Sequence, residues 1–121
     1  MTPDEFVQCF RREKDDLLRT YLDASSGSGV ATRIAELVRS PEQRSVMREI
    51  IDTALTDTFY RILLGLDGSA SLGGVQQEYH IRDESGAVVC NGDGTIEVLA
   101  YASFHDDRNV APDAAASGGG G

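Results

Sequence analysis

The sequence predicts an α+β domain: a three-helix N-terminal part with a long central helix, packed against a small antiparallel β-hairpin and a final helix or strand. Three observations carry this. Apolar side chains recur at three- and four-residue steps as far as Gly65, the period of a helix with one buried face. Beyond Gly65 the period falls to two, the signature of a half-buried strand. Between these regimes, the stretch from Ser40 to Gly74 carries its own start signal, a long apolar stripe and a glycine-rich stop, so the rest of the chain is organised around it.

The first helix opens on Thr2 at the cap, Pro3 at the first helical position and Glu5 where a capping box needs a reciprocal acid. Phe6, Phe10, Leu17 and Tyr21 share one face, flanked by Val7, Leu18 and Leu22, and the helix is expected to run to about Asp23. Glu13 and Lys14 interrupt it where apolar groups are wanted. Arg12 with Asp16 and Asp15 with Arg19 have the spacing of solvated i,i+4 pairs. The stretch SSGSG, Ser25 to Gly29, reverses the chain. Val30, Ile34, Leu37 and Val38 then give a short second helix that Pro41 terminates.

The central helix repeats the same opening with Ser40, Pro41 and Gln43, and Glu42 complements its dipole. Met47, Ile50, Ile51, Ala54, Leu55, Thr58, Ile62 and Leu63 form its stripe, and Gly65 is the expected left-handed stop. Val75, Gln77, Tyr79 and Ile81 alternate with polar residues as one strand; Asp83 to Gly86 make a turn, and Ala87 to Cys90 return as its partner. Val75, Tyr79 and Ile81 are expected to face the helices. Thr95 to His105 fits two patterns. As a strand it places Ile96, Val98, Ala100, Ala102 and Phe104 on one face, after the turn sequence NGDG; as a helix it aligns Ile96, Leu99, Ala100, Ser103 and Phe104. The alanines favour the helix. Residues 1–105 are expected to form a single globular domain. Residues 106–121 have no core-forming pattern and are expected to be a disordered acidic and Gly-rich tail, ending in AAASGGGG, which reads as a linker or cloning scar.

At 121 residues the chain is long enough for a core without staples. Its start, MTPDEF, lacks the basic and apolar regions of a signal peptide, no apolar run is long enough to span a bilayer, and Cys9 and Cys90 lie far apart, so a cytoplasmic protein with reduced thiols is expected. The net charge of −9 is uneven: residues 1–64 hold 11 acids and 9 bases, residues 65–121 hold 9 acids and 2 bases. The C-terminal part thus carries −7, a field that disfavours nucleic acid and anionic membrane and steers in a basic protein. Net negative charge also serves solubility alone.

Motifs for chemistry are weak. GLDGSASLGG, Gly65 to Gly74, lacks the lysine of a phosphate-binding loop and follows a helix instead of leading into one, so it reads as a chain reversal. Asn91, Asp93, Thr95 and Glu97 alternate oxygen ligands, but Ile96 and Ala102 stand where a calcium loop needs glycine and a bidentate acid. His80, His105 and Cys90 lack the local spacing of a zinc site or of a nucleophile pair. In the central helix, Asp57 with Arg61 has i,i+4 spacing, and Thr58 can bond back to a carbonyl one turn earlier. No cofactor or metal is expected.

The run ALTDTFYRILLGLDGSASLGG, Ala54 to Gly74, followed by QQEYHIRDESG, Gln76 to Gly86, resembles a pattern in small single-domain bacterial proteins, some of which are encoded beside polymorphic toxins as immunity partners. The resemblance covers about a quarter of the chain, brings no catalytic signature, and implies a fold that works by binding. The leading expectation is therefore a non-catalytic acidic protein that binds a protein partner, an immunity protein neutralising a basic toxin being its specific form. The residues expected to meet that partner are the acids Asp67, Asp83, Glu84, Asp93 and Glu97, with Tyr79 or Tyr101 as aromatic anchor. The alternatives are a self-associating module, in which a stripe on the first or third helix pairs with its copy as a homodimer, and a small enzyme using His80 or His105.

Overall fold

The structure is a computed structural model, and it describes residues 1–105. The expected tail, 106–121, lies outside the described residues. The chain forms α1 (Pro3–Tyr21), a single 3₁₀ turn (Ala24–Ser26), α2 (Gly29–Leu37), α3 (Pro41–Leu66), β1 (Ile81–Arg82), β2 (Val88–Cys90) and α4 (Thr95–Phe104). This is the α+β arrangement that the periodicities predict. The segment 95–105, open between strand and helix in the sequence, is a helix. Two compact units result, one made of Met1–Arg11 together with Phe59 onward, the other of Arg12–Thr58.

Both long helices begin as their sequences specify. Thr2 Oγ1 accepts from the Glu5 N–H at 3.1 Å, and Glu5 Oε1 accepts from the Thr2 N–H at 2.8 Å, a complete reciprocal box. At α3, Ser40 Oγ accepts from the Gln43 N–H at 3.1 Å, but the Gln43 side chain reaches one residue further back, to the Arg39 N–H at 2.6 Å. A proline at the first helical position has no N–H to satisfy, so α1 and α3 leave fewer orphan donors than an ordinary helix start.

In the Arg12–Thr58 unit, Leu18 of α1, Leu22 just after it and Ile34 of α2 form the buried cluster, and Met47, Ile51 and Leu55 of α3 pack against it. The expected stripe on α3 is narrower than its sequence suggests: Ile50, Ala54 and Thr58 are exposed. Thr58 bonds back to the Ala54 carbonyl at 2.7 Å, as expected for a hydroxyl with no other partner on a helix surface. Lys14, the residue out of place in the α1 pattern, is buried, and its ammonium pairs with Asp52 of α3 and, at 3.4 Å, with Asp15. Its apolar stem fills the stripe while the charge finds carboxylates. Arg19 pairs with Asp16 one turn earlier.

In the other unit, Val7, Leu63, Cys90, Ile96 and Ala100 are buried together, with Phe6, Phe10, Tyr60, Leu66, Ile81, Leu99 and Phe104 packed around them. The stop of α3 departs from expectation. Gly65 lies inside the helix, where a Cβ would approach Leu72 Cβ at 3.0 Å; its smallness serves packing. The left-handed residue is Gly68, at φ +78°, with its N–H bonded to the Gly65 carbonyl and the Ser69 N–H to the Leu64 carbonyl. That is a Schellman closure three residues later than predicted.

The hairpin is also shorter than predicted. Val75 to His80 is not a strand, and Val75 is 54% exposed, so it does not face the helices. The backbone here bonds elsewhere: Leu72 and Val75 close a tight turn through Gly73 and Gly74, both at positive φ, and the Tyr79 N–H donates to the Leu66 carbonyl at 3.2 Å. Pairing begins only at Ile81, opposite Cys90, and then slips so that Arg82 faces Val88. Val89 is the extra residue of this bulge, and the kink lets consecutive side chains, Val89 and Cys90, both be buried, which strict alternation forbids.

Candidate functional site

The predicted site residues all belong to the unit containing α4, and the structure divides them into two kinds. Asp67 is a correction. Expected on an exposed loop, it is 2% exposed and holds the start of α4. Its Oδ2 accepts from the Glu97 N–H at 2.8 Å and its Oδ1 from the Gly94 N–H at 3.2 Å. Gly94 stands at the N-cap with φ +89° and no side chain, so the cap comes from the far end of α3 instead.

Asp83 is likewise committed. Its Oδ1 accepts from the Ser85 N–H, the Ser85 hydroxyl and the Ala87 N–H, and its Oδ2 pairs with the Met1 ammonium at 2.8 Å. The ammonium first, and then the serine hydroxyl, hold its carboxyl well below the usual carboxylate range. Asp93 accepts from the Thr95 N–H at 3.1 Å, and Thr95 lowers its carboxyl too. Tyr79 is half-buried, its carbonyl accepting from the Cys90 thiol at 3.4 Å. These residues build the fold around the site.

Glu84, Glu97 and Tyr101 are exposed. Glu84 sits at the tip of the hairpin turn. Glu97 and Tyr101 are one turn apart on α4, and Val98 beside them is 70% exposed. This face is the complement of the one that packs: Ile96, Ala100 and Ser103 are buried, which turns 97, 98 and 101 outward. Tyr101 is 55% exposed and lies 6.0 Å, ring to ring, from His105, which packs edge-on against Tyr60 at 4.4 Å. Partial burial, and then the Glu97 charge, push the Tyr60 phenol above its ordinary value, so the hydroxyl stays protonated beside the acid. The underside is fixed by Arg11, whose guanidinium donates to the Ser103 carbonyl and lies 6.0 Å from the centre of the Phe104 ring.

Sequence reasoning names Glu97 and Tyr101 but not Val98, Tyr60 or His105 as their neighbours. The signal is present in the helix alternative: once Ile96, Leu99, Ala100, Ser103 and Phe104 are assigned inward, positions 95, 97, 98, 101, 102 and 105 are what remains. Tyr60 comes from α3, and no local pattern announces it.

Groups with chemical potential elsewhere are held separately. His80 Nδ1 is 2.9 Å from Asn91 Oδ1, while His105 caps the end of α4. Cys9 and Cys90 are not joined in a disulfide; Cys90 is buried and donates to the Leu66 carbonyl at 3.3 Å, and burial raises its thiol above the ordinary value. Among the described residues no group of three His, Cys, Asp or Glu side chains is placed to hold a metal ion, and no helix is long and apolar enough to cross a membrane. Neither a protein-family model, nor a curated protein, nor a solved structure matches the chain at a significant level.

Proposed function

We propose that this chain is a non-catalytic, cytoplasmic acidic binding protein that docks a basic protein on the outer face of α4, and that the partner is a bacterial toxin which it neutralises by covering it. One observation carries the reading: Glu97, Val98 and Tyr101 present an acid, an aliphatic and an aromatic side chain side by side on a helix whose opposite face is locked into the core. An exposed tyrosine on a rigid element supplies contact area at little entropic cost, and the surrounding negative field speeds encounter with a basic surface. Asp83 and Asp93 add charge to that field. Among the described residues the Glu84 and Glu97 side chains hold no hydrogen bond or ion pair, so they can form new contacts.

The test is capture from host lysate at low and moderate salt, followed by identification of what is retained. The reading expects one strongly basic protein, lost as salt rises. Tyr101→Ala should weaken its binding by about 30-fold or more, as removal of a hot-spot residue does. Glu97→Lys should slow association and flatten the salt dependence. A partner that binds both variants as tightly as the parent chain excludes this face as the interface.

A second reading has its own observation. Val46 and Ile50, one turn apart on α3, are each 55% exposed, an apolar pair facing solvent in the other unit. Self-association through that pair predicts a dimer in light scattering that Ile50→Asp returns to monomer; a monomer at all concentrations removes it.

A further inference from the structure

We propose that the Arg12–Thr58 unit carries a separate binding site for a small amphipathic monoanion, an apolar tail with a carboxylate head. Two adjoining hollows make it. The inner one, about 220 Å³, is a slot walled by Leu22, Ala31, Ile34, Ala35 and Val38. The outer one, about 560 Å³, is an open mouth bordered by Arg19, Arg44, Arg48 and Asp23. Leu22, Ala24 and Arg44 border both, so the hollows adjoin, a largely apolar slot beside a cationic mouth.

The three guanidiniums are not equivalent. Arg44 donates to the Leu22 carbonyl at 2.7 Å, which fixes it at the junction of slot and mouth. Arg19 is paired with Asp16. Arg48, one helical turn beyond Arg44, has no hydrogen bond or ion pair among the described residues, so its planar fork is open to a carboxylate. Asp23 sets the charge of the ligand. Its Oδ1 accepts from the Ser25 N–H at 3.0 Å and hydroxyl at 2.6 Å, which hold it ionised at the rim. A fixed carboxylate beside one open arginine favours a single negative charge over a phosphate dianion. The slot sets the tail: 220 Å³ equals roughly seven water volumes at about 30 Å³ each, room for one hydrocarbon chain of medium length. A cluster of cations on a chain of net charge −9 stands out against the solubility pattern of the surface. Its position beside an unfilled apolar slot is the arrangement that ligand sites show, with a few convergent polar groups over an apolar wall.

The test is a titration of the full chain with sodium octanoate, followed by amide shifts. Saturable shifts are expected at Leu22, Ala31, Ile34, Val38 and Arg48, with a Kd below about 10 mM. Octanol, which lacks the charge, and acetate, which lacks the tail, should each bind about tenfold more weakly or worse. Arg48→Ala, at an exposed position, should weaken octanoate about tenfold. Ala35→Leu, also exposed, should fill the slot and weaken octanoate to the level of acetate. The proposal is overturned by an absence of saturable shifts at these residues, by octanol binding as tightly as octanoate, or by either variant binding like the parent chain.

Discussion

Removing the carboxyl of Asp67 should destabilise the fold far more than the removal of any other acid in the C-terminal half. Asp67 performs from outside α4 the two tasks that a local cap performs at other helices. It accepts the N–H of Glu97, the third residue of the helix, and the N–H of Gly94, the cap residue itself. No substitution at Gly94 replaces it, because φ +89° there strains any residue with a Cβ and is not the extended conformation of an ordinary capping serine. Asp67→Ala leaves two partly buried N–H groups without their acceptor and removes a carboxyl from the positive end of a helix dipole. With charge-assisted bonds at about 1.5–3 kcal/mol each, and some relief from entering water, the expected loss is about 3 kcal/mol. Asp67→Asn keeps the shape and one acceptor but turns its amide donor toward the second N–H, so about 2 kcal/mol is expected. Against a total stability of about 5–15 kcal/mol, either loss is readily measured in urea, with far-UV circular dichroism reporting and the m-value held as a check on two-state behaviour. A loss below about 1 kcal/mol for Asp67→Ala would refute the assignment of Asp67 as the cap of α4.

Gly92, at φ +67°, would place a Cβ 2.6 Å from Glu78 Cβ, so Gly92→Ala should cost about 1–3 kcal/mol in the same urea assay. Lys14→Met should leave stability within about 1 kcal/mol of the parent, because the thioether fills the stripe and Asp52, 45% exposed, is free to rehydrate; Lys14→Ala should lose about 1–2 kcal/mol through the cavity. Asp83 titrates below its unfolded value of about 3.9, so its contribution is complete above that pH and is lost as the pH falls toward the folded value. Thermal melts of Asp83→Asn should accordingly show a shallower acid limb below about pH 4 than the parent chain shows.

The elements that depend on local spacing are legible in the amino-acid order alone. Both proline-initiated helices begin where their capping boxes lie, and the 3.6-residue alignment of Ile96, Ala100 and Ser103 is the one that packs. What is not legible depends on contacts distant in sequence. Gly65 has the composition of a helix stop, yet Leu72 requires the small residue there, and the chain turns left only at Gly68. Val75 to His80 alternates like a strand, but the partner across the hairpin, Val88–Cys90, is too short to pair with it, and its backbone bonds to the end of α3 instead. Lys14 shows the same limit from the other side: a polar interruption in the pattern of α1 proves to be buried, because Asp52 meets it from α3. Of the candidate site, Glu97 and Tyr101 are readable from one helix. Tyr60 joins them only through the fold.

The acids carry a further distinction. Among the described residues, the segment after Gly65 contains Asp67, Asp83 and Asp93, and Glu78, Glu84 and Glu97. All three aspartates accept backbone N–H groups, whereas all three glutamates are exposed. Chain geometry explains the division for Asp83 and Asp93, while Asp67 reaches across the fold to the start of α4. A carboxyl on one methylene sits within reach of the N–H two residues on; a second methylene carries it past. Asp23, Asp83 and Asp93 each precede a serine or threonine at that spacing, and each accepts its N–H at 2.9–3.1 Å. In each the bond to that residue also lowers the carboxyl, which keeps the charge on at neutral pH. These aspartates therefore contribute to a long-range field without being free to reshape around a partner, and long-range attraction needs only the charge. Short-range contact needs side chains with no prior commitment, which among the described residues of this part means Glu84, Glu97 and the exposed Tyr101, Glu78 lying 3.7 Å from the His80 imidazole. Lysine substitutions at Asp83 and at Glu97 should separate the two roles. Asp83→Lys should slow association and also lower stability, since it removes a turn; Glu97→Lys should slow association and shorten the lifetime of the complex while leaving the urea midpoint almost unchanged. Equal stability losses for the two variants would break the distinction between structural aspartate and recognition glutamate.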